Sequence, residues 1–273
     1  MEHDPAGNEK DQRGRIVIHH MRNKSDFLAP DQAGFIWFDK GGTLSKPVTR
    51  DRERGITYYK KIMKILGADG DPLAFGDELM VRDKQYKKWA MKSWVELSED
   101  DRCTRFLFPD FPPERVKANS EELTILFSRS KGVRELRKSA LPVIKALHSR
   151  GYRVGIISNT ISLVLVPGEL EEAGLNPYLE SLIMSSTTGI RKPDPAIFHK
   201  AAETVKVVPE QCVYVGDQPN RDVEGPRRSG FGLNIILKTS NYPEGEELPE
   251  LQVPDITIDT LEELLELFPE KGE

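Results

Sequence analysis

Five polar residues of this chain sit at or beyond the ends of short apolar runs, and together they can do phosphoryl chemistry. Asp39 follows Phe35-Ile36-Trp37-Phe38 directly, Ser158 follows the run Tyr152–Ile157, and Asp217 follows Val213-Tyr214-Val215-Gly216. Lys192 lies in Gly189-Ile190-Arg191-Lys192-Pro193-Asp194, past the Leu182–Met184 run, and Asp222 stands in the segment after Asp217. Two carboxylates at strand ends can hold Mg²⁺, which takes a few carboxylates and completes its shell with water and phosphate oxygens. Neither Asp loop contains His or Cys, which favours a hard cation. A serine hydroxyl, a lysine ammonium and turn N–H groups can bind phosphoryl oxygens. A carboxylate beside the metal can attack phosphorus to form an aspartyl-phosphate, while the metal neutralises charges that would otherwise repel. Singly, each Asp reads as a turn former or helix cap and Lys192 as a loop lysine. Their shared placement, in this order, points to a common site.

That placement requires a particular scaffold. The run at 35–38 is apolar on both faces and is followed at once by Asp39-Lys40-Gly41-Gly42-Thr43, as in a buried parallel strand ending in a tight turn. Further runs end at Ser158-Asn159, Ser185-Ser186, Gly216-Asp217, Lys238-Thr239 and Asp259. Helical stretches lie between them: Leu141–Arg150, Pro195–Lys206, and Leu261–Phe268 with Thr260 as its cap. Strand-helix alternation from about 134 to 268 predicts an α/β, Rossmann-like core with a mostly parallel sheet. Loops at the carboxyl edge of such a sheet gather around one crevice.

Residues 45–133 break the alternation. Ile56, Tyr59, Met63 and Leu66 repeat at helical spacing, as do Tyr86, Trp89, Ala90 and Trp94. Ser98 and Ser120 read as helix starts. The interval is too long for a loop, so the division expected is a core of 34–44 and 134–273, an inserted all-helical cap of 45–133, and an N-terminal extension of 1–33. Leu44–Gly55 and Ser128–Val133 would be the hinges of a mobile lid. Within the extension, Ile16-Val17-Ile18 is β-like, and the following His19 and His20 would point to opposite faces of a strand rather than converge on an ion.

Composition narrows the function classes. The 273 residues are 38% hydrophobic and 30% charged, which excludes a wholly disordered or low-complexity chain. The net charge of −5 gives no global pull toward nucleic acid. No apolar run approaches the ~18–20 residues that span a bilayer, so no membrane partner is expected. Two distant cysteines, Cys103 and Cys212, make neither a disulfide scaffold nor a zinc site, and with no apolar signal core at the N-terminus the expected location is cytoplasmic. The sequence leaves the oligomeric state open.

Four ordered motifs resemble those of the haloacid dehalogenase-like hydrolases, in the branch with a helical cap after the first motif. They are Phe38-Asp39-Lys40-Gly41-Gly42-Thr43-Leu44, Ile156-Ile157-Ser158-Asn159, Lys192-Pro193-Asp194-Pro195, and Gly216-Asp217 with Asp222. The resemblance runs over roughly 34 to 268. It implies a catalytic set of Asp39, Ser158, Lys192 and Asp222, with Asp39 as nucleophile and Asp222 orienting Lys192 or a metal-bound water. It implies Mg²⁺ held by Asp39, Asp217 and the Gly41 carbonyl. Phosphoryl or substrate contacts would come from Gly42, Thr43, Ser158, Asn159 and Lys192. The implied function is a Mg²⁺-dependent phosphatase or phosphotransferase acting on a small phosphorylated metabolite.

One position departs from the family pattern. Family phosphatases carry a second Asp two residues after the nucleophile, which protonates the leaving group and then activates water. Here that position is Gly41. Loss of a general acid/base costs roughly 10²–10⁴-fold. The departure keeps two other readings open: a phosphonatase- or dehalogenase-type hydrolase of C–P or C–halogen bonds, with Lys87, Lys88 or Lys92 as a cap amine, and a catalytically degenerate protein that binds a ligand or partner.

Overall fold

The computed structural model describes residues 28–47, 52–132, 134–240, 242–243 and 245–271. The Ile16–Ile18 run and the His19-His20 pair lie outside them.

Strands β1 (Phe35–Phe38) and β2 (Ser45–Pro47) come first, followed by helices α1 (Arg52–Leu66), α2 (Pro72–Ser93), α3 (Glu99–Arg102), α4 (Pro113–Ala118) and α5 (Ser120–Ser130). Strand β3 (Arg134–Leu136) leads into α6 (Ala140–Ser149), β4 (Val154–Ser158), α7 (Leu165–Glu172), β5 (Ser181–Met184), α8 (Ser185–Thr188) and α9 (Pro195–Val205). The chain then runs through β6 (Cys212–Gly216), α10 (Pro219–Asp222), α11 (Glu224–Arg228), β7 (Leu233–Leu237), β8 (Ile256–Ile258) and α12 (Leu264–Leu267).

Six strands form one parallel sheet in the order β5-β4-β1-β6-β7-β8. The alternation of strand side chains explains why β1 is apolar throughout. Ile36 and Phe38 join one core with α6, α7 and α12, including Ile144, Leu147, Leu170 and Leu264. Phe35 and Trp37 join the opposite core with Ile197, Phe198, Ala201 and Val205 of α9. β6 divides the same way, Val213 and Val215 to the first core, Cys212 and Tyr214 to the second. Each fully buried large side chain contributes about 1.5–3 kcal/mol. α9 starts where the sequence directs: Asp194 caps it by accepting from Ala196 N at 2.9 Å, and Pro195 opens the first turn. Thr260 likewise forms a capping box with Glu263.

The insert has its own core of Tyr59, Ile62, Leu66, Leu79, Leu107, Phe108, Leu123 and Phe127. Ser98 caps α3 as expected, accepting from Asp101 N at 3.1 Å. The helices begin later than the expected boundary at 45. Ser45–Pro47 is extended and pairs antiparallel with Arg134–Leu136, so a two-stranded ribbon stands at the base of the insert. Three-residue strands carry too few alternations to register as a pattern in sequence.

A second attachment joins insert and sheet domain. Val95 bridges Ile190, Glu96 N donates to Gly189 O at 2.9 Å, and Arg191 N donates to Trp94 O at 2.9 Å. Ile161 packs against Tyr86, Ala90 and Leu97. No helix among the described residues is long and apolar enough to cross a membrane. Cys103 and Cys212 are buried free thiols.

Candidate active site

β1, β4 and β6 are neighbours, and the connections run from β1 toward β5 on one side and toward β8 on the other. Ligand crevices open at the carboxyl ends where strand order reverses in this way. Asp39, Ser158 and Asp217 stand at those ends and are all buried.

The turn after β1 is held by Ser45 N donating to Lys40 O at 2.9 Å and Gly42 N donating to Ser45 O at 2.8 Å. Arg137 fixes its outer edge, donating from Nε to Thr43 O at 2.9 Å and from Nη2 to Gly42 O at 2.8 Å. Gly42 has φ of 115°, and a Cβ there would fall 2.1 Å from Asp217 Oδ2. Only glycine meets both constraints. Thr43 Oγ1 is buried and makes no hydrogen bond among the described residues.

Lys192 reaches the centre of this cluster. Its Nζ donates to Asp39 Oδ1 at 2.7 Å, to Asp222 Oδ1 at 2.8 Å and to Tyr214 Oη at 2.5 Å. Its side chain is fully buried. The cis peptide bond Lys192–Pro193 and the side chain of Asn159 shape its loop. Asn159 Nδ2 donates to Lys192 O at 3.0 Å, and Lys192 N donates to Asn159 Oδ1 at 2.9 Å. The Asn159 amide, expected to contact substrate, bonds the backbone of Lys192 in both directions, since a buried peptide unit must find partners.

Asp222 is fully buried and accepts at Oδ2 from Asp217 N at 3.2 Å and Gln218 N at 3.1 Å. It therefore holds both the Asp217 turn and Lys192. Burial by itself would raise its pKa, but Arg221 and Lys192 outweigh this and hold it well below the usual carboxylate range. Burial, together with the carboxylates of Asp222 and Asp39, pushes Asp217 up to about 7. Burial and the same acidic neighbours keep the Tyr214 hydroxyl protonated far above its ordinary range.

The donor set fits a divalent cation. Oxygens of Asp39, Asp217 and Asp222 lie within 4.8 Å of one another, all buried, and the burial and carboxylate repulsion that raise Asp217 are what a bound cation would offset. Both oxygens of Asp222 are engaged, Oδ1 by Lys192 and Oδ2 by the amides of Asp217 and Gln218, so Asp39 and Asp217 are the residues that would hold it.

Sequence reasoning missed two members of the site. Arg221 Nη2 lies 3.4 Å from Asp39 Oδ2, 3.4 Å from Asp217 Oδ1 and 3.3 Å from Asp222 Oδ2. Its i,i+4 spacing from Asp217 was the available signal. Tyr214 was read only as strand core, and nothing in an apolar run marks a hydroxyl that meets a buried lysine. Lys40, next to Asp39, is buried and paired with Glu169 of α7. Burial lowers its pKa to about 8, Arg134 adds to the effect, and Asp39 opposes it. Lys87, Lys88 and Lys92, considered as cap amines, all lie on the exposed face of α2, and Lys87 Nζ pairs with Asp83 at 2.9 Å. Exposed lysines keep their solvation, whereas a Schiff-base amine needs desolvation or a cationic neighbour.

Comparison with known proteins agrees with this geometry. The haloacid dehalogenase-like hydrolase family model matches residues 36–230. A glyceraldehyde 3-phosphate phosphatase of Methanopyrus kandleri is 30% identical over 130 residues, covering 48% of this chain and 55% of that protein. A phosphoserine phosphatase of Thermus thermophilus is 30% identical over 144 residues, covering 53% and 56%. The chain thus spans about half the length of the curated relatives it matches. A 2-haloacid dehalogenase structure from Pseudomonas syringae pv. Tomato superposes with a TM-score of 0.60 at 20% identity, covering 86% of this chain and 97% of that one. A HAD phosphatase structure from Thermococcus onnurineus gives 0.56 at 22%, covering 87% and 98%. At these identities the structures bear on the fold alone.

Proposed function

The chain belongs to the haloacid dehalogenase-like hydrolase family, and from that premise we propose that it is a Mg²⁺-dependent phosphatase or phosphotransferase acting on a small phosphorylated metabolite through an aspartyl-phosphate. The observation that carries this reading is Lys192 Nζ held between Asp39 at 2.7 Å and Asp222 at 2.8 Å, beside Asp217. The phosphatase names of the curated relatives support the same substrate class.

In this reading Asp39 attacks phosphorus, and Lys192 neutralises charge as two anions approach. Ser158, with the turn at Gly42 and Thr43, binds the phosphoryl oxygens. Asp222 is a positioning residue that fixes Lys192. Magnesium bound by Asp39, Asp217 and the Gly41 carbonyl would supply the further positive charge that lets a carboxylate meet a phosphoryl dianion. Gly41 cannot deliver a proton to the leaving group or take one from water. Residues 34–44 and 134–273 act as the core in this proposal, 45–133 as a cap and 1–33 as an extension. The attachment of Trp94–Glu96 to Gly189–Arg191 makes that cap anchored rather than freely swinging. The two buried thiols fit a reducing cytoplasm.

The test is turnover of a panel of phosphate esters, acyl phosphates, phosphonates and haloacids, with and without Mg²⁺. Mg²⁺-dependent phosphate release, lost in Asp39→Asn, is the expected result. Release confined to phosphonates or haloacids would overturn it.

A further inference from the structure

Gly41 leaves room beside the nucleophile, and that room has a specific neighbour. The residue is not among the positive-φ glycines, so its backbone does not demand glycine. A Cβ built there would touch Nη1 of Arg134 at 3.6 Å and its Cζ at 3.7 Å. A side chain at this position would therefore project toward a guanidinium, at the point where family phosphatases carry their proton donor. Arg134 stands there because it belongs to β3, whose pairing with β2 sets Arg134 opposite Pro47 at the foot of the nucleophile loop. It is exposed, and its guanidinium makes no hydrogen bond or ion pair among the described residues. The adjacent cation, Lys40, is already committed to Glu169.

A proton donor and a guanidinium serve different leaving groups. An alkoxide leaving from an ordinary phosphate ester is strongly basic and must be protonated as it departs. A carboxylate or phosphate leaves as a stable anion and needs charge pairing instead, which a guanidinium supplies bidentately. Resting on the phosphatase reading above, we infer that this site is built for phosphoryl donors whose leaving group departs as an oxyanion, the acyl phosphates and phosphoanhydrides, with Arg134 pairing the departing anion.

The step balances without a proton donor at position 41. Asp39 Oδ forms a bond to phosphorus, the bond from phosphorus to the bridging oxygen breaks, and its electron pair leaves on that oxygen as carboxylate or phosphate. Water then attacks the phosphoryl group and frees Asp39 as a carboxylate. One water proton leaves on inorganic phosphate and the other goes to solvent.

The experiment compares kcat/KM for acetyl phosphate and glycerol 3-phosphate in the wild type, Arg134→Gln and Gly41→Asp, with vanadate affinity measured for each protein. The wild type should favour acetyl phosphate. Arg134→Gln should lose on the order of 10-fold or more on acetyl phosphate, the scale of losing one electrostatic donor. It should lose less on glycerol 3-phosphate than on acetyl phosphate, and it should leave vanadate affinity unchanged, because the phosphoryl subsite is elsewhere. Gly41→Asp should raise glycerol 3-phosphate turnover by about 10²-fold and narrow the preference. Equal wild-type efficiency on both substrates, or an Arg134→Gln variant with unaltered acetyl phosphate kinetics, would overturn the inference and leave the phosphatase reading standing. No turnover of either substrate and no vanadate binding would overturn both.

Discussion

Lys192 Nζ lies 2.7 Å from Asp39 Oδ1 across 153 residues of sequence, inside a cluster that also holds Asp217, Asp222 and Arg221. Each partner compensates a charge that burial would otherwise make costly. Removing one of them therefore acts twice, on chemistry and on stability. Lys192→Met should lower turnover on the order of 10²-fold or more. It should also destabilise the fold by about 3–5 kcal/mol, because Asp39 and Asp222 lose a buried counter-charge. Steady-state kinetics and urea unfolding of the same preparation measure the two effects separately.

The neighbouring glycines should respond differently to the same substitution. Gly42→Ala forces a Cβ toward Asp217 Oδ2 at 2.1 Å with φ of 115°, so strain of about 1–3 kcal/mol is expected, together with weaker Mg²⁺ binding by calorimetry. Gly41→Ala meets ordinary contacts and should change stability by no more than about 1 kcal/mol. Equal costs at the two positions would show that the turn relaxes around either side chain.

Acid sensitivity should trace partly to the insert. Asp83 is buried, accepts from Arg102 Nη2 at 2.8 Å and pairs with Lys131 at 3.2 Å. Burial would raise its pKa, but Lys131, Arg102 and Lys87 together hold it below the usual carboxylate range. Between its folded and unfolded values the unfolded chain binds the extra proton, so stability rises with pH there. This contribution is present above about pH 4 and is lost as pH falls below it. Asp83→Asn should lower Tm at pH 7, and the gap from wild type should shrink between pH 4 and pH 2. A constant gap across that range would contradict the assignment.

The insert should behave as an anchored element. The buried Glu96 carboxylate accepts from Ser185 Oγ at 2.6 Å and pairs with Arg191 and Tyr86, bracketing the backbone bonds at Glu96 N and Arg191 N. Those two amides should exchange slowly with or without vanadate. Glu96→Ala should speed both and cost about 3–5 kcal/mol, since Arg191 loses its partner. Fast exchange of these amides in the wild type would return the lid to free hinge motion.

What the sequence made legible follows from the range of each signal. Strands β1, β4, β5 and β6 send apolar residues into both cores, and β7 and β8 into one, so their runs and the polar residues at their ends stand out. α9 carried its cap and proline in adjacent residues. Contacts made only in three dimensions left no such trace. The β2–β3 ribbon is three residues a side, and Glu96 finds Ser185 and Arg191 across 89 and 95 residues. Tyr214 hides in an apolar run, the pairing of Asn159 with the Lys192 backbone spans 33 residues, and Arg134 gains its meaning only from lying against Gly41.

The most direct test of the account is whether phosphorus becomes attached to Asp39. Wild-type protein is mixed with acetyl phosphate and Mg²⁺, quenched in acid, and its intact mass and Asp39 peptide are measured. In the proposed reading Asp217, Lys192 and Ser158 support attack by Asp39, while Gly41 offers no base to the water that must release it. A phosphoryl adduct on Asp39 should therefore accumulate, be absent in Asp39→Asn, and be shorter-lived in Gly41→Asp. Turnover with no adduct at any quench time, or an adduct that persists in Asp39→Asn, would contradict the account.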